Sequence, residues 1–182
     1  TELDLQVSYA DIAKACGVKG VFGPCGYGFP SIIGAKIGNP DTPVVGFAGD
    51  GAFGISMNEM TAVGREDWPA ITMIIFRNYQ WGAEKRNTTL WYSDNFVGTE
   101  LDLQVSYADI AKACGVKGVH AKSMDELTQV LEKAVQEQMN DGVTTFIEVI
   151  LNQELGEPFR RDAMKTPVSV AGIQKEDMRP QV

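Results

Sequence analysis

The chain is poor in the residues that build metal clusters and nucleophilic catalytic sets. It has one histidine, His120, and three cysteines, Cys16, Cys25 and Cys114, without CxxC spacing. No Ser-His-Asp set or zinc cluster can be assembled around a single histidine. We therefore interpret His120 as a surface or structural residue at the end of an edge-like strand, with a catalytic role as the alternative. The cysteine pattern predicts reduced thiols, as in cytoplasmic proteins.

Positive charge and long apolar runs are also scarce. There are 16 Lys and Arg against 24 Asp and Glu, a net charge of −8, which argues against a nucleic-acid surface. No apolar run approaches the roughly 20 residues that span a bilayer. The acidic start, Thr1-Glu2-Leu3-Asp4, does not resemble a signal peptide. With 182 residues, 44% of them hydrophobic, we expect a soluble globular domain and no membrane or nucleic-acid partner.

The most informative stretch is an apolar run at 44–48 that ends in Gly49-Asp50-Gly51. An amphipathic pattern follows from about 53 to 65, and a second apolar run spans 71–76. This order predicts a βαβ unit with parallel strands. Its right-handed crossover places Asp50 and Asn78 together, at the carboxyl ends of strands that we expect to be close neighbours.

Those two residues suit a bound diphosphate and its cation. Glycines let the backbone approach an anion, and a helix N-terminus directs N–H groups toward it. Mg²⁺ prefers oxygen ligands, which Asp50, Asn78 and the backbone carbonyl of Gln80 can supply. Gly-Asp-Gly alone is more often a simple turn. Together with an asparagine 28 residues after Asp50, it becomes a strong indication of a site.

This pattern resembles the metal-diphosphate motif of thiamine-diphosphate-dependent enzymes, although that motif usually ends in two asparagines and Arg77 occupies the first position here. Within that group the chain resembles the sulfoacetaldehyde acetyltransferase family. The resemblance covers about residues 22–168, and the matching runs are CGYGFP at 25–30, QWGAEK at 80–85 and LGEPFRRDA at 155–163.

The resemblance implies an α/β fold, a mostly parallel sheet with helices on both faces, and only the C-terminal, diphosphate-binding domain of a longer enzyme. The implied cofactors are thiamine diphosphate and Mg²⁺. The implied reaction converts sulfoacetaldehyde and phosphate to acetyl phosphate and sulfite. The alternatives are another thiamine-diphosphate decarboxylase, an acetolactate-synthase-like carboligase, or a catalytically silent truncated module.

The resemblance also implies which residues meet the cofactor. Asp50, Asn78 and Gln80 would hold the metal, and Lys85 and Arg160 are candidates for binding the substrate anion. Solvated basic residues remain the commoner explanation for that last pair, and a glycine-rich packing turn remains the alternative for 25–27. The full set of implied cofactor contacts is Cys25, Gly26, Tyr27, Gly49, Asp50, Gly51, Ala52, Phe53, Asn78, Gln80, Trp81 and Gly82, in which Gly51, Ala52 and Phe53 would offer N–H groups to the diphosphate.

In the resembled family, a glutamate from a separate pyrimidine-binding domain, normally that of a partner subunit, activates the cofactor. No segment before Phe22 can form such a domain. We therefore expect half of an active site, a tendency to form homo-oligomers, and no turnover by this chain alone.

An exact internal repeat begins the chain, because residues 1–21 are identical to residues 99–119. Solenoid repeats recur several times and diverge, so a perfect pair is a different kind of feature. We divide the chain into this copy at 1–21, the domain at 22–168 and a tail at 169–182. The first copy is interpreted as a duplicated, misassembled or grafted terminus, with a functional tandem element as the alternative. We expect it to be less buried than the second copy.

The remaining patterns predict the outer elements of the fold. Ser106 should cap a helix through residue 113, and Ser123 with Glu126 forms a capping box that opens a helix ending near 140. The polar, aromatic stretch from 79 to about 98 is predicted as a long functional or mobile loop. Further elements are a helix at about 30–37 and strands at 116–120 and 144–151.

Overall fold

A computed structural model describes residues 25–153, apart from the side chains at 86, 87, 89, 90 and 91. These residues divide into two units, one comprising 25–81 and Glu100–Gln153 and the other Gly82–Thr99. The repeat copy at 1–21, the run at 155–163 with Arg160, and the tail at 169–182 lie outside the described residues, so the predictions for them stay predictions.

The larger unit is built on a parallel four-stranded sheet. Its strands are β1 (Val45–Gly49), β2 (Thr72–Arg77), β3 (Lys117–Ala121) and β4 (Thr145–Ile150), in the order β1-β2-β4-β3. Every neighbouring pair is parallel. The α/β fold class with a parallel sheet is confirmed, and β1 and β2 are direct neighbours.

Helices of the larger unit cover the two faces of this sheet. They are α1 (Gly28–Gly38), α2 (Asp50–Gly54), α3 (Met60–Val63), α5 (Tyr107–Ala113) and α6 (Met124–Asn140), with a 3₁₀ turn at Met57–Glu59. The smaller unit contains the helix α4 (Gly82–Trp91). None of the helices in the described part is long and apolar enough to cross a membrane.

Alternation along β2 divides the core into two clusters. Met73 and Ile75 pack with Phe53 and Phe146 in a cluster that includes residues of α1, α2, α3 and α5. Ile74 points to the other face, where the cluster includes residues of α6. β2 is buried on both faces and carries continuous apolar sequence, as the run at 71–76 does. The apolar run at 44–48 instead forms the edge strand β1, in which Val45 and Phe47 are exposed. The prediction of helices on both faces is confirmed.

Two element predictions were wrong. The helix expected from about 53 to 65 begins at Asp50 and is broken into α2, the 3₁₀ turn and α3, because Gly54 and Ser56 interrupt the pattern with residues of low helix propensity. The stretch predicted as a long loop contains the ten-residue helix α4. Its first turns hold Ala83, Glu84 and Lys85, which are strong helix formers.

The N-terminal caps of α5 and α6 are the serines that the sequence predicts. The Ser106 hydroxyl accepts the N–H of Asp109, and the Ser123 hydroxyl accepts the N–H of Glu126, both at 3.2 Å. The returning bond of the capping box differs, because the Glu126 carboxylate accepts the N–H of Lys122. Serine at these positions satisfies first-turn N–H groups that have no partner within the helix.

Close contact between α5 and β3 requires a glycine. A Cβ atom at Gly118 would overlap the carbonyl oxygen of Ala108, whereas a Cβ atom at Gly34 of α1 would meet no atom within 4 Å. We expect Gly118→Ala to lower the free energy of unfolding by about 1–3 kcal/mol through overpacking. The matched change Gly34→Ala should raise it by up to about 1 kcal/mol through helix propensity. Equal changes in the free energy of unfolding of the two variants, measured in urea, would contradict this packing.

Candidate functional site

The site forms where β1 and β2 end. Asp50 directly follows β1, and Asn78 directly follows β2, with Gly49 in register with Phe76. Parallel neighbouring strands bring their carboxyl ends to one edge of the sheet, so the two side chains meet there. The expectation that Asp50 and Asn78 lie together is confirmed.

Three polar groups converge at this edge. One of the two terminal atoms of the Asn78 amide lies 3.2 Å from Asp50 Oδ1 and 3.0 Å from the carbonyl oxygen of Gln80. When the amide oxygen occupies that position, three oxygens face one another. When the amide is turned by 180°, its nitrogen donates a hydrogen bond to both of the other oxygens. The same three groups can therefore either enclose a cation or close on themselves.

The spacing of these oxygens fits a small divalent cation. Octahedral Mg²⁺ binds oxygen at about 2.0–2.1 Å, so neighbouring ligands are about 3 Å apart. Within the part of the chain that the structure describes, no group of three or more His, Cys, Asp or Glu side chains could hold a metal ion. A metal site here has to combine one carboxylate with neutral oxygens, which is the set that Asp50, Asn78 and Gln80 provide.

The Asp50 carboxylate is buried and held by several donors. Its residue is 1% exposed. Oδ1 accepts the N–H of Gly51 at 2.9 Å, while Oδ2 accepts the N–H of Tyr79 at 2.7 Å and a bond from Arg77 Nη1 at 3.0 Å. Tyr79 adopts a positive φ of 61°, which few non-glycine residues do. Three donors therefore hold the Asp50 carboxylate in place.

Behind Asp50 lies a buried ionic network that sequence reasoning missed. Arg77 and Glu148 are 1% and 2% exposed, and Arg77 Nε lies 3.6 Å from Glu148 Oε1. The available signals were Arg77 directly after one apolar run and Glu148 inside another. Buried charges of this kind are rare unless they are paired.

Glu148 extends the network to the other edge of the sheet. Its Oε2 accepts the Ser106 hydroxyl and the N–H of Ala108, both at 2.9 Å, and lies 3.2 Å from Nε2 of His120. His120 stands on the edge strand β3 and its side chain is 37% exposed. The predicted position of His120 on an edge strand at the surface is confirmed, and its interpretation as structural stays a prediction.

Tyr107 links the same network to the backbone at the site. Burial raises the pKa of the Tyr107 phenol above its ordinary value; the charges of Asp50 and Glu148 raise it further, and that of Arg77 lowers it. The hydroxyl therefore stays protonated and donates to the carbonyl oxygen of Asp50 at 3.2 Å.

The predicted residues 25–27 lie at the same end of the sheet. They precede α1, whose first residue, Gly28, lies close to β1. A Cβ atom added to Gly28 would lie 4.0 Å from the carbonyl oxygen of Phe47. Gly26 has a positive φ of 83°. Cys25 and Tyr27 are exposed, and Cys25 is a free thiol. Their contact with a cofactor stays a prediction.

Trp81 lies against the glycine turn. A Cβ atom on Gly51 would lie 2.9 Å from the Trp81 ring, so glycine is needed for this contact. The Gly51 N–H, predicted to meet a diphosphate, is already donated to Asp50 Oδ1. In the smaller unit, the Lys85 ammonium lies 5.2 Å from the centre of the Phe96 ring. The predicted contacts of Gly82 and Lys85 stay predictions.

A hollow of about 370 Å³ lies away from these residues, lined by Ile37, Pro40, Asp67, Trp68 and Pro69. It sits beyond the C-terminal end of α1 and before β2, at the amino-terminal end of the strands. Ligands of parallel α/β sheets bind outside the carboxyl ends. The oxygen set at Asp50 is therefore the better candidate site.

The chain is closely similar to known proteins. Over 162 residues it is 73% identical to the probable sulfoacetaldehyde acetyltransferase of Rhizobium meliloti (strain 1021) and 74% identical to the sulfoacetaldehyde acetyltransferase of Rhodobacter capsulatus. Each match covers 89% of this chain and 27% of the relative, so the chain spans about a quarter of their length.

The fold has matches among solved structures. The benzoylformate decarboxylase from Polynucleobacter necessarius superposes with a TM-score of 0.64 at 24% identity, covering 74% of this chain and 25% of that chain. This likeness concerns the fold alone. The family described as "Thiamine pyrophosphate enzyme, C-terminal TPP binding domain" matches residues 5–149. The chain therefore belongs to the thiamine pyrophosphate (thiamine diphosphate) enzymes, as their C-terminal cofactor-binding domain.

Proposed function

We propose that this chain is the diphosphate- and metal-binding domain of a cytoplasmic sulfoacetaldehyde acetyltransferase. The substrates would be sulfoacetaldehyde and phosphate, and the products acetyl phosphate and sulfite. The proposal is supported by 73–74% identity, over most of this chain, to two relatives that carry that name. That level of identity is our reason for preferring it to the decarboxylase, carboligase and silent-module alternatives.

The observation that carries the binding half of the proposal is the convergence of the Asp50 carboxylate, the Asn78 amide and the Gln80 carbonyl at the sheet edge. Asp50 Oδ1, the Asn78 amide oxygen and the Gln80 carbonyl oxygen would hold Mg²⁺, with cofactor phosphate oxygens and water as the other ligands. The turned amide would be the form without a cation, in which Asn78 donates to both neighbours.

The other predicted residues would shape the cofactor's surroundings. Gly49 allows the backbone to approach the diphosphate, and Gly51 allows Trp81 to pack beside it. Residues Cys25, Gly26 and Tyr27 would lie under the cofactor rings, and Lys85 and Arg160 would bind the substrate anion. When bound, thiamine diphosphate supplies the carbanion that permits acetyl transfer, and the protein supplies orientation and electrostatics.

We propose that the pyrimidine-binding domain of the same family, on a partner subunit, completes the site in a homo-oligomer. One strand edge is consistent with such contacts, since Val45 and Phe47 of β1 are 38% and 43% exposed. Exposed apolar patches often mark interaction sites. The repeat copy at 1–21 would add nothing to the site, because its twin at 99–119 already supplies α5 and the start of β3.

The direct test is turnover. The 182-residue chain with thiamine diphosphate, Mg²⁺, sulfoacetaldehyde and phosphate should form no acetyl phosphate by itself, because the residues that activate the cofactor and exclude water would come from the other domain. Adding the family's pyrimidine-binding domain in trans should produce acetyl phosphate and sulfite. Robust turnover by the chain alone would contradict the half-site proposal, and pyruvate-dependent carboligation by the mixture would favour the carboligase alternative.

A further inference from the structure

The two carboxylate oxygens of Asp50 have different surroundings. Oδ2 accepts from Arg77 Nη1 at 3.0 Å and from the Tyr79 N–H at 2.7 Å. Oδ1 accepts one N–H, that of Gly51, and faces the Asn78 amide at 3.2 Å. Two donors on Oδ2 leave that oxygen unable to turn toward a cation bound among Oδ1, Asn78 and Gln80. The carboxylate is therefore held ready to offer one oxygen only.

Both terminal nitrogens of the Arg77 guanidinium make hydrogen bonds, while its Nε faces Glu148 in an ion pair. Its Nη2 donates to the carbonyl oxygens of Asp102 and Val105, the latter at 3.1 Å. Its central carbon lies 4.3 Å and 5.1 Å from the centres of the Tyr79 and Tyr107 rings. Planar guanidinium groups stack on aromatic rings and fork toward carboxylates in ways that a lysine ammonium cannot. The contact to Oδ2 is thus made by a rigid group.

Glu148 balances the charge of this clamp. Arg77 alone would neutralise Asp50 and remove the attraction for a cation. Glu148, with Oε1 at 3.6 Å from Arg77 Nε, restores a net charge of about −1 to the group of three side chains. The pair therefore orients Asp50 without cancelling the negative charge that a metal needs.

We propose that Arg77, anchored by Glu148, is a positioning residue that makes Asp50 a one-oxygen ligand and so favours Mg²⁺ over Ca²⁺. The inference depends on the proposed metal site. Mg²⁺ takes six oxygens in a tight octahedron, whereas Ca²⁺ takes about six to eight and readily uses both oxygens of a carboxylate. A carboxylate whose second oxygen is held by Arg77 and Tyr79 disfavours the larger ion.

The variant that isolates this effect is Arg77→Gln/Glu148→Gln. It removes the clamp but leaves the net charge of the three side chains at about −1, so a change in selectivity cannot come from charge alone. The matched control is Arg65→Gln/Asp67→Asn, which removes the exposed pair whose Nη2 and Oδ2 lie 2.6 Å apart, remote from the site. Arg77→Lys is a second variant that keeps the charge and loses the planar fork.

Circular dichroism first verifies that each variant of the full 182-residue chain is folded. Mg²⁺ and Ca²⁺ are then titrated separately into each protein in the presence of excess thiamine diphosphate, and calorimetry measures their affinities. The ratio of Mg²⁺ to Ca²⁺ affinity should fall by about tenfold in the double variant, by less in Arg77→Lys, and not at all in the control. A merely structural role would weaken both ions equally, so an unchanged ratio in the double variant overturns the inference. If the double variant does not fold, an unchanged ratio in Arg77→Lys overturns it instead. Wild-type chain that binds neither ion would overturn the proposed metal site itself.

Discussion

Replacing Arg77 with methionine is expected to lower the free energy of unfolding by about 3–5 kcal/mol. The change leaves two carboxylates, Asp50 and Glu148, buried at 1% and 2% exposure without their shared cation. Burying a charge is tolerated only when it is paired, and the loss of one partner exposes the full desolvation cost of the other. Methionine retains the apolar volume, so little of the effect would come from a cavity.

Equilibrium unfolding in urea measures this loss, with Arg65→Met as the control. The Arg65 guanidinium also pairs with an aspartate, Asp67, but both side chains are more than half exposed. Its removal should change the free energy of unfolding by no more than about 0.5 kcal/mol. The combined change Arg77→Met/Glu148→Leu should recover much of the stability lost in Arg77→Met. A loss below about 1 kcal/mol in Arg77→Met would show that the buried pair contributes little.

Local patterns in the sequence were sufficient to predict the strands of the sheet and the N-terminal caps of two helices. The runs at 44–48 and 71–76 form β1 and β2 because both are apolar and β1 ends in glycine. Ser106 and Ser123 cap helices because their hydroxyls accept first-turn N–H groups. The meeting of Asp50 and Asn78 followed from parallel topology alone, since that topology fixes which ends of the strands are neighbours.

What the sequence did not predict depends on contacts between distant residues. Arg77 and Glu148 are 71 residues apart along the chain, and their pairing depends on β4 lying beside β2. No short-range pattern specifies that strand order. The helix α4 was missed for a different reason, because polar and aromatic residues typical of a loop surround the helix-forming residues Ala83, Glu84 and Lys85.

The Asp50 carboxylate should control cofactor affinity. Asp50→Asn removes the only charged ligand proposed for Mg²⁺ and keeps the size of the side chain. Metal-dependent affinity for thiamine diphosphate should fall at least tenfold, about 1.4 kcal/mol or more. Asn78→Ala should weaken binding by a smaller factor, because it removes a neutral ligand. Asp67→Asn, an exposed aspartate remote from the site, should leave binding unchanged.

The most direct measurement is a calorimetric titration of thiamine diphosphate into the wild-type chain and into Asp50→Asn, each with Mg²⁺ and with a chelator. We expect saturable binding by the wild type that requires Mg²⁺, and binding at least tenfold weaker by Asp50→Asn. Equal, Mg²⁺-dependent affinities in the two proteins, or wild-type binding that is unaffected by the chelator, would contradict a metal-diphosphate site at Asp50, Asn78 and Gln80.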